Sequence, residues 1–107
     1  MGRFVLVEKA GKYRFQLQAG NYEPILQSET YESKAAALNG IESVRKNSQR
    51  DGAFEVKTAK NGQTYFVLKS TNGQVVGQSE MYSSESGCSN GIASVTKNAA
   101  DAEVVEQ

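Results

Sequence analysis

An internal repeat of 51 positions is the feature that most restricts how this chain can fold. The segment QSETYESKAAALNGIESVRKN, at residues 27–47, returns as QSEMYSSESGCSNGIASVTKN at residues 78–98. A unit of about 50 residues is marginal as an independent domain, whereas two such units can share one core. We therefore expect a single pseudo-twofold domain, with repeat 1 at about residues 3–49 and repeat 2 at about residues 53–106.

Each repeat has the pattern of three strands followed by a helix. Phe15 and Leu17 alternate with polar residues, which indicates a strand with one buried face, and Phe66 and Leu68 take the same places in repeat 2. Gly-containing pairs such as Asn61-Gly62 predict the turns between strands. Strands are expected at residues 4–7, 13–17, 24–26, 54–58, 64–68 and 75–76, with a closing strand within residues 102–106.

The helices are predicted from their first residues and their apolar stripes. Ser33 and Ser84 are suited to cap a helix, because a serine hydroxyl can accept from a free N–H of the first turn. One apolar residue every three or four positions then marks a buried helix face. The stripe consists of Ala37, Ile41 and Val44 in repeat 1 and of Cys88, Ile92 and Val95 in repeat 2.

Together these elements predict an α+β fold. Three strands and one helix cannot cover their own apolar face, but two units side by side can. We expect tandem β-β-β-α(-β) repeats merged into one antiparallel sheet, with two helices packed on one face. Lys and Arg number 12 and Asp and Glu number 12, and this neutral balance gives no overall attraction to nucleic acid or membrane.

The composition also bears on chemistry and location. The chain has no histidine, the commonest general base and transition-metal ligand, and one cysteine. We see no paired acids, no activated nucleophile and no phosphate-loop spacing, so we expect no enzyme, no metal and no cofactor. The N-terminal apolar run is too short for a signal peptide and no stretch could span a bilayer, so we expect a cytoplasmic protein.

Several short motifs recur in register in the two repeats. They are Phe15-x-Leu17, Ser28-Glu29-x-Tyr31-x-Ser33-Lys34, Asn39-Gly40-Ile41-x-Ser43-Val44 and Lys46-Asn47, with their counterparts Tyr65-Phe66-x-Leu68, Ser79-Glu80-x-Tyr82-x-Ser84 and Asn90-Gly91-Ile92-x-Ser94-Val95. Repeat 2 departs from the pattern at Glu85, where Lys34 stands in repeat 1. As one set, these residues resemble the YegP-like family of small bacterial proteins of uncharacterised function, in its tandem-repeat form. The resemblance implies two β3-α-β units merged into one sheet, with the C-terminal strands exchanged between units, and it implies no function.

Glycine and cysteine inside the predicted helices need an explanation. Gly40 and Gly91 each cost about 1 kcal/mol relative to alanine. We attribute them to close backbone approach, from helix to helix or from helix to sheet, rather than to a ligand. Cys88 stands where repeat 1 has Ala37 and has no histidine to activate it, so we interpret it as a buried apolar group.

Three further pairs repeat between the units. Tyr31 and Tyr82 precede the helix caps, and we expect each ring to cover a helix start with its hydroxyl at the surface. Nothing in the sequence brings Glu29 and Glu80 together, so we expect two separate solvated carboxylates. Asn39 and Asn90 are poor helix formers, and we expect each to bond to a neighbouring loop.

The sheet face without helices is the candidate binding surface. Strand alternation places an aromatic, an aliphatic, a lysine, an arginine and two glutamines there. Such a face can be merely solvated, can contact a protein, or can stack and neutralise single-stranded nucleic acid. We expect a small binding domain that contacts a protein partner, is itself a monomer with an internal pseudo-dimer and does not bind membranes; weak single-stranded nucleic-acid binding is the alternative. The candidate residues are Arg14, Gln16, Gln18, Tyr65, Val67 and Lys69.

Overall fold

A computed structural model describes residues 2–107 and contains seven strands and two helices. Each unit follows the predicted order of three strands and a helix, and a seventh strand closes the chain. The elements are β1 (Arg3–Lys9), β2 (Lys12–Gln18), β3 (Pro24–Gln27), α1 (Lys34–Asn47), β4 (Phe54–Thr58), β5 (Thr64–Lys69), β6 (Val75–Gln78), α2 (Glu85–Ala99) and β7 (Glu103–Glu106).

The strands form one sheet in the order β4-β5-β6-β3-β2-β1-β7. The two units meet at the centre, where β3 and β6 pair antiparallel only through Gln27 and Gln78. The closing strand β7 crosses to repeat 1 and pairs parallel with β1. The α+β class is confirmed, but the sheet is mixed rather than wholly antiparallel, because β7 reaches β1 only after the crossover helix α2.

Both helices begin as predicted. The Ser33 hydroxyl accepts from the N–H of Ala36 at 3.1 Å, and the Ser84 hydroxyl accepts from the N–H of Gly87 at 3.0 Å. These two bonds satisfy N–H groups that have no partner within the helix.

The helices cover one face of the sheet. The predicted stripes are buried, apart from Ile92, which is partly buried. They pack on alternate strand residues, where Phe15 meets Phe4 edge to face at 5.9 Å and Phe66 meets Phe54 in the same way at 5.5 Å. Residues of both units join a single apolar cluster, so neither unit has a core of its own.

Candidate functional site

The repeated Ser-Glu-x-Tyr motif has a structural role. The Ser28 hydroxyl accepts from the N–H of Phe15 at 2.9 Å and donates to the carbonyl of Glu29 at 2.7 Å. Ser79 makes the same two bonds, with Phe66 at 2.9 Å and with the carbonyl of Glu80 at 2.8 Å. Each hydroxyl thus replaces a backbone partner at the point where the strand ends.

The tyrosines explain the helix glycines. The Tyr31 ring stacks on Phe15 with centroids 6.0 Å apart, and the Tyr82 ring stacks on Phe66 at 6.2 Å. A Cβ added at Gly40 would collide with the Tyr31 hydroxyl and would lie 2.8 Å from Cζ. Close helix–sheet packing is therefore confirmed as the reason for glycine, although what approaches the helix backbone is an aromatic side chain.

Each tyrosine is only partly buried, and its hydroxyl lies beside the helix backbone at Gly40 or Gly91. Burial raises the pKa of both Tyr31 and Tyr82, and the nearby carboxylates of Glu29 and Glu80 raise it further. Cys88 is buried as expected, and its burial raises the pKa of the thiol.

The helix-free face, defined as the sheet side occupied by the six candidate residues, is largely self-bonded in repeat 1. The amide of Gln18 accepts from Arg3 Nε at 2.8 Å and donates to Gln16 at 3.1 Å. The Arg3 guanidinium lies over the Tyr22 ring, 4.4 Å from its centroid. Of the three candidate residues in repeat 1, Arg14 is exposed, whereas Gln16 and Gln18 are half-buried.

The repeat 2 half of this face differs from expectation at one residue. Val67 is only 3% exposed, so its side chain is not available to a partner. It lies directly across from Glu55, whose carboxylate forms an ion pair with Lys69. The hydrogen bond from Lys69 and the positive charge of Lys69 lower the pKa of Glu55, and Lys57 makes a smaller contribution in the same direction. Tyr65 is half-buried.

A shallow groove of about 390 Å³ opens where the two units join. By register, Gln27 shares a face with Gln16, and Gln78 shares a face with Val67, so the groove adjoins the helix-free face. We call it the seam groove. It is lined by Gln27, Ser28, Glu29, Val75, Gly77, Gln78, Ser79, Glu80 and Met81.

Glu29 and Glu80 are both exposed, as expected, and both line the seam groove, which the sequence did not predict. Pairing between β3 and β6 is limited to one residue pair, and the residues that follow it in both units line the same opening. Met81, on the rim, is 44% exposed. Within residues 2–107 no cluster of three or more acidic or cysteine side chains is arranged to hold a metal ion.

The polar helix residues also differ from expectation. Asn39 and Asn90 are exposed, and neither makes a side-chain hydrogen bond in the described part of the chain. The buried amides are Asn47 and Asn98 instead. Asn47 donates to the carbonyl of Ser43 at 2.8 Å, and Asn98 bonds to Ser94 in the same way. Neither helix in residues 2–107 has the length and apolar character needed to cross a bilayer.

Comparison with known proteins shows the family. A domain described as Domain of unknown function (DUF1508) matches twice, at residues 8–55 and 59–106. A UPF0339 protein of Pseudomonas aeruginosa is 61% identical over 89 residues, which are 83% of this chain and 81% of that protein. The UPF0339 protein YegP of Yersinia pestis is 53% identical over 84% of this chain and 80% of its own.

The chain belongs to the UPF0339 (YegP) family. Solved members share its fold along nearly the full length. The solution structure of the Escherichia coli protein yegP, described as of unknown function, has 45% identity and a TM-score of 0.92 over 99% of this chain and 92% of that one. The solution structure of a UPF0339 protein from Shewanella oneidensis has 42% sequence identity and a TM-score of 0.91, and the match covers 98% of this chain and 90% of that one. The predicted family is thus confirmed, and its members' function is uncharacterised.

The residues that sequence reasoning missed are those of the seam groove. Glu29 and Glu80 carried a signal, since both follow the repeated serine. Their convergence depends on β3 pairing with β6, and alternation within single strands does not predict which strands become neighbours.

Proposed function

We propose that this member of the UPF0339 family is a non-enzymatic domain that binds a protein partner on its helix-free face, with the seam groove at the centre of the contact. The proposal is supported by the groove itself, which combines two carboxylates, two carboxamides and an exposed methionine on one concave surface. Such a surface suits a protruding lysine or arginine side chain, whose stem packs on Met81 while its charge faces Glu29 and Glu80.

Nucleic acid is the second candidate. A hollow of about 320 Å³ beside Arg14 is lined in part by Lys9, Lys12 and Tyr13. Lys12 is, however, in an ion pair with Glu32, and carboxylates at the seam repel phosphate. These charges favour the protein partner. A cytoplasmic location is part of the proposal and is supported by the single cysteine, which permits no intramolecular disulfide.

The test is site-specific photo-crosslinking in the native host. A crosslinker at Gln78, inside the groove, should capture a defined protein, and one at Lys46, on the exposed side of α1, serves as the matched control. Charge reversal by Glu29→Lys with Glu80→Lys should abolish the Gln78 adduct while leaving the fold intact. Equal capture at both positions, or capture that survives the reversal, would refute the proposed contact.

A titration with nucleic acid distinguishes the second candidate from the protein partner. Amide shifts on Arg14, Tyr65 and Lys69 upon addition of short single-stranded RNA or DNA, fading as salt is added, would replace the protein partner with nucleic acid. No shifts with either would remove that candidate.

A further inference from the structure

The two ends of the sheet are not equivalent. β4 is the counterpart of β1, with Phe54 in the place of Phe4. The outer edge of β1 is covered by the parallel strand β7, in which Val104 aligns with Phe4 and Glu106 with Leu6. β4 is the last strand at the other end, and within residues 2–107 no strand occupies the matching position. We call this position the β4 edge.

The backbone of β4 is arranged to accept a strand there. The carbonyl of Ala53 accepts from the N–H of Lys69 at 2.9 Å, so alternation turns the N–H and C=O groups of Phe54 and Val56 away from β5. In β1 the counterpart of Val56 is Leu6, and the carbonyl of Leu6 accepts from the N–H of Gln107 at 2.9 Å. The β4 edge therefore presents the hydrogen-bonding groups that β1 uses to hold the C-terminal segment.

The side chains show what the vacant position leaves uncovered. Leu6 is 2% exposed, whereas its counterpart Val56 is 50% exposed. Phe4 is fully buried and Phe54 only partly. An added strand would remove this apolar surface from water, which favours its binding.

One charge decides which strand fits. In repeat 1, Lys34 at the start of α1 forms an ion pair with Glu106 of β7, with Nζ 2.7 Å from Oε1. The counterpart of Lys34 at the start of α2 is Glu85. A strand with the sequence of β7 would bring its last glutamate towards Glu85, and like charges repel. A strand with lysine or arginine at that place would instead complete the pair.

We propose that the β4 edge binds an extended segment of a partner protein, parallel to β4, with an apolar residue beside Phe54 and a basic residue beside Val56 that pairs with Glu85. This site adds a strand to the sheet edge and lies away from the seam groove, so it stands even if the helix-free face proves inert. The same charge disfavours the C-terminal strand of a second copy, which carries Glu106.

Two capped synthetic peptides test the proposal. One has the sequence of residues 100–107, ADAEVVEQ, and the other replaces its last glutamate with lysine, ADAEVVKQ. Titrated into the isotopically labelled chain, the lysine peptide should shift the amides of Phe54, Val56 and Lys57. It should bind roughly three- to tenfold tighter than the glutamate peptide, as expected when an exposed like-charge contact becomes an exposed ion pair.

Reversal of the chain's own charge is the decisive control. Glu85→Lys restores the residue type that repeat 1 carries at the start of its helix, so the variant should fold, and it should now prefer the glutamate peptide. The proposal is overturned if neither peptide shifts β4, if both bind equally, or if Glu85→Lys leaves the preference unchanged. Shifts confined to β1, or a concentration-dependent dimer that Val56→Pro abolishes, would overturn it by showing a different site or a second copy as occupant.

Discussion

Replacing Gly40 by alanine tests whether the Tyr31 ring dictates glycine in α1. A Cβ at this position would collide with the Tyr31 hydroxyl, and would lie 2.8 Å from Tyr31 Cζ and 3.0 Å from Phe15 Cε2. The ring cannot simply withdraw, because it is stacked on Phe15, which is itself buried. The sheet and the helix must therefore separate or the tyrosine must leave its place.

Two opposing terms set the magnitude. Alanine in a helix interior is better than glycine by about 1 kcal/mol. Overpacking of a close-packed site costs about 1 to 3 kcal/mol, and contacts well below van der Waals distance with a braced ring belong at the upper end. We expect Gly40→Ala to lower the free energy of unfolding by about 1 to 2 kcal/mol, or roughly 4 to 16 °C in Tm.

Urea and thermal denaturation of matched variants measure this effect. Gly87→Ala in the first turn of α2 is the control, because its Cβ would meet its nearest neighbours at an ordinary 3.4 Å, and it should be stabilising. Removal of the hydroxyl by Tyr31→Phe should reduce the stability lost on Gly40→Ala, so the double variant should be more stable than the sum of the two single effects predicts. If Gly40→Ala is as stable as the wild type, or if Tyr31→Phe leaves its cost unchanged, the proposed packing is incorrect.

Other predictions concern the same motifs. Ser79→Ala should cost about 1 to 3 kcal/mol in urea denaturation, because it leaves the buried N–H of Phe66 without an acceptor; a change as small as that of the exposed Ser89→Ala would contradict this. Burial raises the pKa of Tyr31 and Tyr82 in the folded state above the value of about 10 expected in the unfolded state. The folded protein therefore holds these protons more tightly, and the stability that this contributes is fully present below about pH 10 and is lost as pH rises through the folded-state pKa. Denaturation midpoints should therefore fall above about pH 10, and less steeply in the Tyr31→Phe Tyr82→Phe variant; equal slopes would refute the assignment. The Cys88 thiol should react with a thiol reagent only in urea, and fast reaction of the native chain would contradict its burial.

The parts of the fold that depend on local pattern could be predicted. Alternation located β2 and β5, and β4 was predicted with the bounds it has. The serine caps and apolar stripes located both helices, because capping and amphipathicity act within a few residues of the chain. The predicted burial of Cys88 followed from the repeat, which set it equivalent to Ala37.

The candidate site was less predictable. Alternation placed Val67 on the helix-free face correctly, yet Val67 is buried, with Glu55 and Gln78 opposite it on the two neighbouring strands. Which residues flank it depends on strand pairing, which alternation within β5 does not predict. Close packing against the helix backbone at Gly40 was predicted, but the group packed there is the Tyr31 side chain rather than another backbone. Side-chain direction over such distances is set by packing, and no spacing in the sequence encodes it.

The sequence by itself determined the two-fold repetition, the order of elements and the residues that face the core, since these follow from periodicity and capping within each unit. Only the tertiary structure decided how the units are joined. The seam groove opens beside the single Gln27–Gln78 pair, and because β7 crosses to β1, no strand among residues 2–107 covers the outer edge of β4. Two units with the same order of elements thus end in different surroundings, because one C-terminal strand can complete only one of them.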